Sequence, residues 1–379
     1  MQLHQINPPV KKPKKLGRAF NHLEDLVFFY GTQGVIEALA HLEETAVHSG
    51  AQTIRRKWDG NPQIYWGRAQ PGGPLILAGH NNWSRRVVTA SPEELEDFIV
   101  NQSGNAQTAE DRAARKAFAK QFAGLYKMFD RATPEDFQGF VYADALFTQR
   151  PNLVNSVYSF SPNPHSQTCY HVERNSKLGQ RVSQAQTMVV GHAYFFEFGA
   201  KDDLQQPIDN FEQFNLNADL IVLGPIYNKK AISTDQTEIE KIKQYALQNS
   251  NCIDNFLQEV KGLADLKNII YTYVNQTAKK KQLDNLGKEH FFSWLSNSKV
   301  SKGKQEKIQL LDQDNDSALE VIFELIKSIQ NIKDHAISQL QDYNEDIWES
   351  NGEGHVRYAD KTKHFGNIKL VPRKEWTPA

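Results

Sequence analysis

Apolar residues recur at helical spacing near the start of the chain. Between His22 and His48 they stand where one face of a helix would place them: Leu23, Leu26, Val27, Ile36, Leu39, Ala40 and Leu42. The sequence GTQG at 31–34 interrupts this spacing, and glycine is unfavourable inside a helix. The pattern therefore predicts two helices with a break between them.

The pattern changes to that of β-strands between Gln52 and Gly79. Short apolar runs around Ile54 and at 64–66 predict strands, the sequence GRAQPGGP at 67–74 predicts a turn, and LILAGHNNW at 75–83 continues the sheet. Two longer apolar segments, 138–148 and 187–200, predict a buried strand and a buried strand pair. The intervening 150–186 is rich in Asn, Ser, Gln and Pro, which indicates loops and edge strands.

Helical signals alternate with these strands. Ser91, Pro92 and Glu94 form a capping box that opens a helical stretch reaching about Asp130. Amphipathic helical spacing then dominates from about 229 to 347, after which strand patterns return. This return predicts one α+β domain, built from 20–228 and 348–379, with a helical insertion at 229–347 and a basic arm at 1–19.

Composition narrows the class of protein. The 379 residues suffice for two or three compact units. The 44 Lys and Arg residues nearly balance the 45 Asp and Glu residues, so a polyanion would have to bind to a local cluster of positive charge. Two cysteines, no N-terminal apolar core and no apolar run of about 20 residues predict a cytoplasmic protein without a membrane partner. P-loop and Rossmann glycine motifs are absent from the sequence.

The segment Lys57-Trp58-Asp59-Gly60 places a lysine at the mouth of an apolar strand. A lysine nucleophile must lose its proton, and lowering its pKa from about 10.4 to about 7–8 requires roughly 4 kcal/mol from its environment. Burial and neighbouring cations such as Arg55 or Arg56 supply such a shift. The alternative is a strand-end lysine in a salt bridge with Asp59.

This K-x-D-G segment resembles the nucleophile motif of covalent nucleotidyltransferases, the superfamily of polynucleotide ligases and mRNA-capping enzymes. Further segments similar to the family's motifs follow in order: Ser84-Arg85, Asp144 in FVYADALF, Phe196 or Phe198 in AYFFEFGA, Glu353-Gly354-His355-Val356, and Lys369 in GNIKLVPRKEW. The resemblance spans about 20–230 and 348–379. It is nearest to phage RNA-ligase-like proteins with a K-x-D-G-x-P motif.

The resemblance implies a nucleotidyltransferase domain, ATP-grasp-like, in which antiparallel sheets flank a nucleotide cleft. It implies an ATP-dependent polynucleotide ligase that uses Mg²⁺ or Mn²⁺, forms lysyl-AMP and seals 5′-phosphate to 3′-hydroxyl ends in nucleic acid repair, on RNA rather than DNA. Lys57 would be the catalytic nucleophile and Asp144 and Glu353 the metal ligands. The nucleotide would be bound by Asp59, Gly60, Arg85, Asp144, Phe196 or Phe198, Glu353, Lys369 and Arg373.

Three positions depart from the family pattern. Pro62 stands where many members have arginine, Asp144 where they have glutamate, and Val371 where they have a second lysine, for which Arg373 is the better same-face substitute. The chain stops six residues after Arg373, which leaves no room for a C-terminal OB domain and favours the RNA-ligase type.

Two other functions remain open at this stage. One is a non-catalytic phage protein that binds nucleotide or nucleic acid through a degenerate ligase fold, located in the host cytoplasm. The other is a GTP-using capping guanylyltransferase. The helical insertion is a candidate nucleic-acid clamp through the lysines at 279–281 and 299–304, although such lysines also occur on ordinary solvated surfaces.

Overall fold

The structure is a computed structural model of a mixed α+β chain, with half of the residues helical and about a fifth in strands. It describes residues 21–48, 54–102, 108–163, 168–201, 208, 210–228, 230–258, 261–340, 346–350, 354–357 and 368–373. The predicted basic arm at 1–19, Glu353 and the lysine at 374 lie outside the described residues.

The strands of the described part are β1 (Asn21–His22), β2 (Ile54–Arg56), β3 (Gln63–Arg68), β4 (Ile76–Gly79), β5 (Gly139–Phe147), β6 (Leu153–Val154), β7 (Val157–Phe160), β8 (Cys169–Glu173), β9 (Thr187–Phe195), β10 (Leu220–Leu223), β11 (Ile347–Ser350), β12 (His355–Arg357) and β13 (Ile368–Leu370). They form three sheets, in the orders β10-β9-β5-β3-β4, β1-β13-β12-β2 and β11-β8-β7-β6.

Pairing is mostly antiparallel, but β1 runs parallel to β13 and β10 runs parallel to β9. The predicted antiparallel pairing is therefore present in all three sheets, and two of the three sheets are mixed. β2 and β12 come from segments about 300 residues apart, yet they pair directly, with Arg55 opposite Val356. The strand β12, which follows the helical segment, thus pairs with a strand from the N-terminal part of the chain.

The helices are α1 (Leu26–His48), α2 (His80–Arg85), α3 (Pro92–Gln102), α4 (Ala109–Gly124), α5 (Tyr126–Ala132), α6 (Lys177–Val182), α7 (Gln236–Gln248), α8 (Ser250–Phe256), α9 (Leu266–Lys279), α10 (Lys288–Ser296), α11 (Lys302–Asp314) and α12 (Ala318–Ser338). None of the helices in the described part combines the length and apolar character needed to cross a membrane.

The predicted break near residue 31 is confirmed. Gly31 interrupts α1 with φ 63° and ψ −142°. A Cβ at this position would lie 2.1 Å from the Asp254 carboxylate, which accepts a hydrogen bond from the Thr32 N–H at 2.8 Å. Asp254 of α8 therefore caps the second half of α1, and only glycine fits beside it.

Several element boundaries differ from the sequence-based prediction. The strand predicted over 75–83 ends at Gly79, and His80–Arg85 form a short helix. The stretch that opens at Ser91, whose Oγ accepts from the Glu94 N–H, divides into three helices. The segment 187–200 contains one strand, β9, rather than a pair, and α6 lies where only loops and edge strands were predicted.

The helices after 235 share one hydrophobic core with the N-terminal helix. Apolar residues of α7–α12 pack with Leu23–Leu42, and Ile54 of β2 and Ile368 and Leu370 of β13 belong to the same cluster. The helical segment therefore packs against the small β1-β13-β12-β2 sheet through this shared core. The domain boundaries at 229 and 347 stay a prediction, because the core alone does not define folding units.

Candidate functional site

Strand pairing places Lys57 next to the C-terminal strands. Lys57 follows β2 directly, and its backbone N–H donates to the Gly354 carbonyl at 2.8 Å. On β12, Val356 pairs with Arg55 on one side and with Lys369 of β13 on the other. Two lysines that are 312 positions apart in the sequence are thereby brought to one region of the sheet.

The environment of Lys57 makes its ammonium group easier to deprotonate than that of a free lysine. Burial, and after it the positive charge of Lys369, lowers the pKa of Lys57 to about 8, against the opposing effect of Asp59, Asp144 and Glu349. Burial likewise lowers the pKa of Lys369, although Asp25 acts in the opposite direction. At neutral pH a lysine of this kind retains a usable fraction of the nucleophilic form.

The loop after Lys57 is tied to two sheets. The Asp59 N–H donates to the Tyr170 hydroxyl at 2.8 Å, and the Asp59 Oδ1 accepts from Asn163 at 3.1 Å. Further along, the Asn61 N–H donates to the Ala145 carbonyl at 2.9 Å. The K-x-D-G segment is therefore held in a fixed position between β8 and β5.

Gly60 is required by close packing against β5. A Cβ on Gly60 would lie 2.4 Å from the Asp144 Cβ and 2.9 Å from the Ala145 carbonyl oxygen. This contact explains in steric terms why glycine follows Asp59, and it brings the Lys57 loop onto the strand that carries Asp144.

We expect Gly60→Ala to lower the free energy of unfolding by about 1–3 kcal/mol, because the added methyl must displace backbone rather than a flexible side chain. Chemical denaturation measures the change. Gly303→Ala is the matched control, since nothing lies within 4 Å of its Cβ position on α11. An equally stable Gly60→Ala protein would contradict this packing.

Asp144 lies at the centre of the site with a histidine partner. Its Oδ2 is 2.9 Å from the His192 Nε2, and both side chains are largely buried. Arg55 reaches the same place from β2, donating to the His192 carbonyl at 3.1 Å. Arg56, one position later, instead donates to the Ile347 carbonyl, so the two arginines serve different sides of β2.

A buried ionic cluster lies beside the two lysines. The pKa of His22, on β1, is held well below its ordinary value by burial first and then by Arg373, Lys333, Lys369 and Lys57. His22 is therefore neutral and within electrostatic range of all four cations. The predicted role of Arg373 in holding phosphate does not fit its position, because its guanidinium is fully buried. It binds Asp25 and, at 2.8 Å, the Asn275 side chain.

The two predicted stacking phenylalanines lie away from Asp144. Val190 stands opposite Asp144 on β9, and six residues at about 3.3 Å each put Phe196 roughly 20 Å further along the chain. Phe196 is 65 % exposed, and Phe198 packs against Trp83 with ring centroids 5.0 Å apart. The aromatic ring beside Asp144 is instead Tyr142, whose centroid is 5.0 Å from that of His192.

The remaining predicted residues divide between the centre and the periphery. Lys57, Asp59, Gly60, Asp144 and Lys369 lie together. Arg85 is exposed at the end of α2. Glu353 lies outside the described residues, next to Gly354, whose carbonyl accepts from Lys57.

Sequence reasoning missed His192, Tyr170, Asn163 and Glu349. For His192 a signal existed: an ionisable side chain within the apolar run VVGHAYFF requires a polar partner, as Asp144 does within FVYADALF. If the two buried strands lie side by side, the histidine and the aspartate can be each other's polar partner. No comparable signal marked Tyr170 or Asn163, which come from loops and strands remote from Lys57.

The carboxylates of the site have unused capacity for a ligand. Asp59 Oδ2 and Asp144 Oδ1 are buried without a hydrogen-bond partner among the described residues. The described residues contain no group of three or more His, Cys, Asp or Glu side chains that could hold a metal ion. Mg²⁺ commonly takes only one or two carboxylates together with substrate phosphates and water, so these oxygens fit it.

Comparison with known proteins identified no relative. No family model, no curated protein and no solved structure matches the chain.

Proposed function

We propose that the chain is an ATP-dependent nucleotidyltransferase that forms a covalent lysyl-AMP on Lys57 and acts as a polynucleotide ligase, on RNA rather than DNA. The observation that carries the proposal is the convergence of Lys57, Asp59, Asp144 and Lys369, which the sequence separates by up to 312 positions. The adjacent strands β9-β5-β3 of one sheet and β13-β12-β2 of another carry these residues or lie next to them, and this arrangement supports the two-walled cleft that the proposal requires.

In this proposal the neutral Lys57 amine attacks the α-phosphorus of ATP. A phosphorus–nitrogen bond forms and the bond to pyrophosphate breaks. The attacking nitrogen, which becomes positively charged on forming this bond, then releases one proton. Lys369 is placed to neutralise phosphate charge while it also lowers the pKa of Lys57. AMP then passes to a 5′-phosphate, and a 3′-hydroxyl displaces it to seal the strand.

A divalent ion would be held by Asp144, together with Glu353, and would supply charge neutralisation at the phosphate oxygens. The buried and unpartnered Oδ1 of Asp144 supports this assignment.

Incubation with α-labelled ATP and Mg²⁺ tests the proposal. The expected result is a labelled protein whose adduct maps to the peptide containing Lys57, with release of pyrophosphate. The same reaction with α-labelled GTP tests the capping alternative, and labelling with GTP but not ATP would favour it. Absence of an adduct with all four nucleoside triphosphates would leave the non-catalytic binding protein as the better description.

The rate of adduct formation should rise about tenfold per pH unit below pH 8 and level off above it. The sign follows from the depressed pKa of Lys57, because raising the pH through about 8 converts the ammonium to the reactive amine. Single-turnover rates between pH 6 and 9.5 measure this profile.

In Lys369→Gln the positive neighbour of Lys57 is lost, and we expect the midpoint of that profile to move to higher pH. At pH 7.5 the rate should fall about three- to tenfold and recover in part at pH 9.5. Lys369→Arg retains the charge and should keep the wild-type midpoint. An unshifted midpoint in Lys369→Gln would show that Lys369 does not set the reactivity of Lys57.

A further inference from the structure

The α9–α10 groove lies in the helical segment, where these two helices meet. Its lining includes the side chains of Gln276, Lys280, His290, Ser293, Trp294 and Asn297. The volume is about 210 Å³, which is smaller than the roughly 300–1,000 Å³ of pockets that enclose a whole small ligand. The groove therefore suits one group of a larger ligand.

Hydrogen-bond donors that other contacts hold in place border the α9–α10 groove. Trp294 Nε1 donates to Gln276 Oε1 at 2.7 Å, so the amide nitrogen of Gln276 keeps both hydrogens for another acceptor. His290 Nδ1 is 2.9 Å from the Tyr273 hydroxyl, and its Nε2 makes no hydrogen bond with a described residue. Together with the ammonium group of Lys280, these donors favour an anionic group.

Three consecutive lysines stand at the edge of the groove. Lys280 lines it, and Lys279 and Lys281 flank Lys280 in an ordered turn, in which the Lys281 N–H donates to the Ala278 carbonyl at 2.8 Å. All three are exposed, and none forms an ion pair within the part of the chain that the structure describes. Lys281 has φ 56°, a conformation that glycine adopts with less strain. The turn thus presents uncompensated positive charge, which complements a polyanion.

Helix α9 connects the groove with the ionic cluster beside Lys57. Asn275, one position before the groove begins, accepts a hydrogen bond from Arg373 at 2.8 Å. The pKa of His22 is lowered by burial first, then by Arg373 and, further down the order, by Lys57. Lys280 lies about 7.5 Å beyond Asn275 along the helix axis. The groove is therefore placed to contact a polynucleotide away from an end that reaches Lys57.

We propose that the α9–α10 groove, with Lys279, Lys280 and Lys281 at its edge, binds the phosphate backbone of the polynucleotide substrate. The inference rests on the proposed function for the identity of the ligand, and it assigns substrate binding to the helical segment. Contacts of this kind position a strand without reading its sequence. In the second lysine cluster of the sequence, Lys304 is instead paired with Asp265 at 2.6 Å, at the start of α9.

Fluorescence anisotropy of a short labelled single-stranded RNA, titrated with the full chain in the absence of nucleotide, tests the proposal. The groove variant combines Lys279→Gln, Lys280→Gln and Lys281→Gln, and its dissociation constant at moderate salt should rise about tenfold or more. The slope of log affinity against log salt concentration should become shallower by about 2, because each phosphate contact with a single strand contributes about 0.7.

Two controls separate the groove from the general charge of the protein. Combining Lys302→Gln, Lys307→Gln and Lys327→Gln removes the same charge from α11 and α12, and it should change the dissociation constant less than about twofold. Ser293→Glu places a carboxylate in the groove and should weaken binding. Ser296→Glu, exposed on the same helix but outside the groove lining, should bind RNA as wild type does.

Equal losses in the two triple variants would show attraction to positive charge in general and would overturn the inference. Absence of RNA binding by wild type, or wild-type binding by a folded Ser293→Glu protein, would also overturn it. Circular dichroism verifies that each variant is folded. Failure of the proposed function is distinguishable, because a chain that binds RNA through the groove but forms no adduct with any nucleotide contradicts the ligase proposal alone.

Discussion

We expect replacement of Lys57 with arginine to abolish formation of the proposed nucleotide adduct, with a loss of more than about 10³-fold in the rate of labelling. The guanidinium keeps the positive charge and much of the length of the side chain, but it is not deprotonated in proteins and cannot act as the nucleophile. The Lys57→Arg variant therefore tests the nucleophilic role of the lysine while it largely preserves the charge and size of the side chain. Measurement of labelled protein after incubation with α-labelled ATP and Mg²⁺ gives the rate.

The control for this experiment is Lys327→Arg on α12, a partly exposed lysine that lies outside the site. It should label at the wild-type rate, and both variants should unfold at wild-type denaturant concentrations. Persistent labelling of Lys57→Arg, or an adduct mapped to another lysine, would reject Lys57 as the nucleophile. The residues around Lys57 would then need a role other than nucleotidyl transfer.

Replacing Lys333 with methionine should lower the free energy of unfolding by about 3 kcal/mol. The Lys333 Nζ is fully buried and contacts both carboxylate oxygens of Glu24, at 2.7 and 2.8 Å. Burial opposes ionisation of Glu24, but Lys333 and Arg373 outweigh it and hold the pKa of Glu24 below its ordinary value. Without Lys333 the nearest cation to the buried carboxylate among the described residues is Arg373, at the longer distance of 3.4 Å.

Equilibrium denaturation of Lys333→Met measures this loss, with Lys327→Met on the same helix as the control that should change stability little. Glu24→Gln in the Lys333→Met background removes the buried carboxylate charge that has lost its lysine partner. The double variant should therefore be more stable than the sum of the two single losses implies. Additive losses would show that the two side chains do not interact.

Local features of the fold followed directly from the chain. The break at Gly31, the helix that starts after Ser91 and the buried strands that became β5 and β9 depend on short-range preferences, and the structure contains each of them. The prediction was wrong at His80–Arg85, a mostly polar stretch that forms a helix directly after the apolar strand β4, and where one long segment divides into several helices.

The residues of the site were only partly predictable. Motif order brought out Lys57, Asp144 and Lys369, which the structure places within electrostatic range of one another or on adjacent strands. Motif order also selected Phe196, which is exposed and far along the chain from Asp144, and Arg373, which lies near the lysines but is buried and already paired. A motif specifies a residue type at a distance along the chain, whereas stacking and phosphate contact depend on which face a side chain occupies and whether it is already paired.

The sequence by itself determined that a lysine stands at the end of a β-strand before Asp59 and Gly60, and that two ionisable residues lie within buried strands. Only the tertiary structure decided that His192 is the partner of Asp144, because a bulge in β9 changes the register by one residue. It also decided that Lys369 lies close enough to affect the pKa of Lys57. Burial and charge act through space, and pairing of β2, β12 and β13 brings together residues that the chain keeps 312 positions apart.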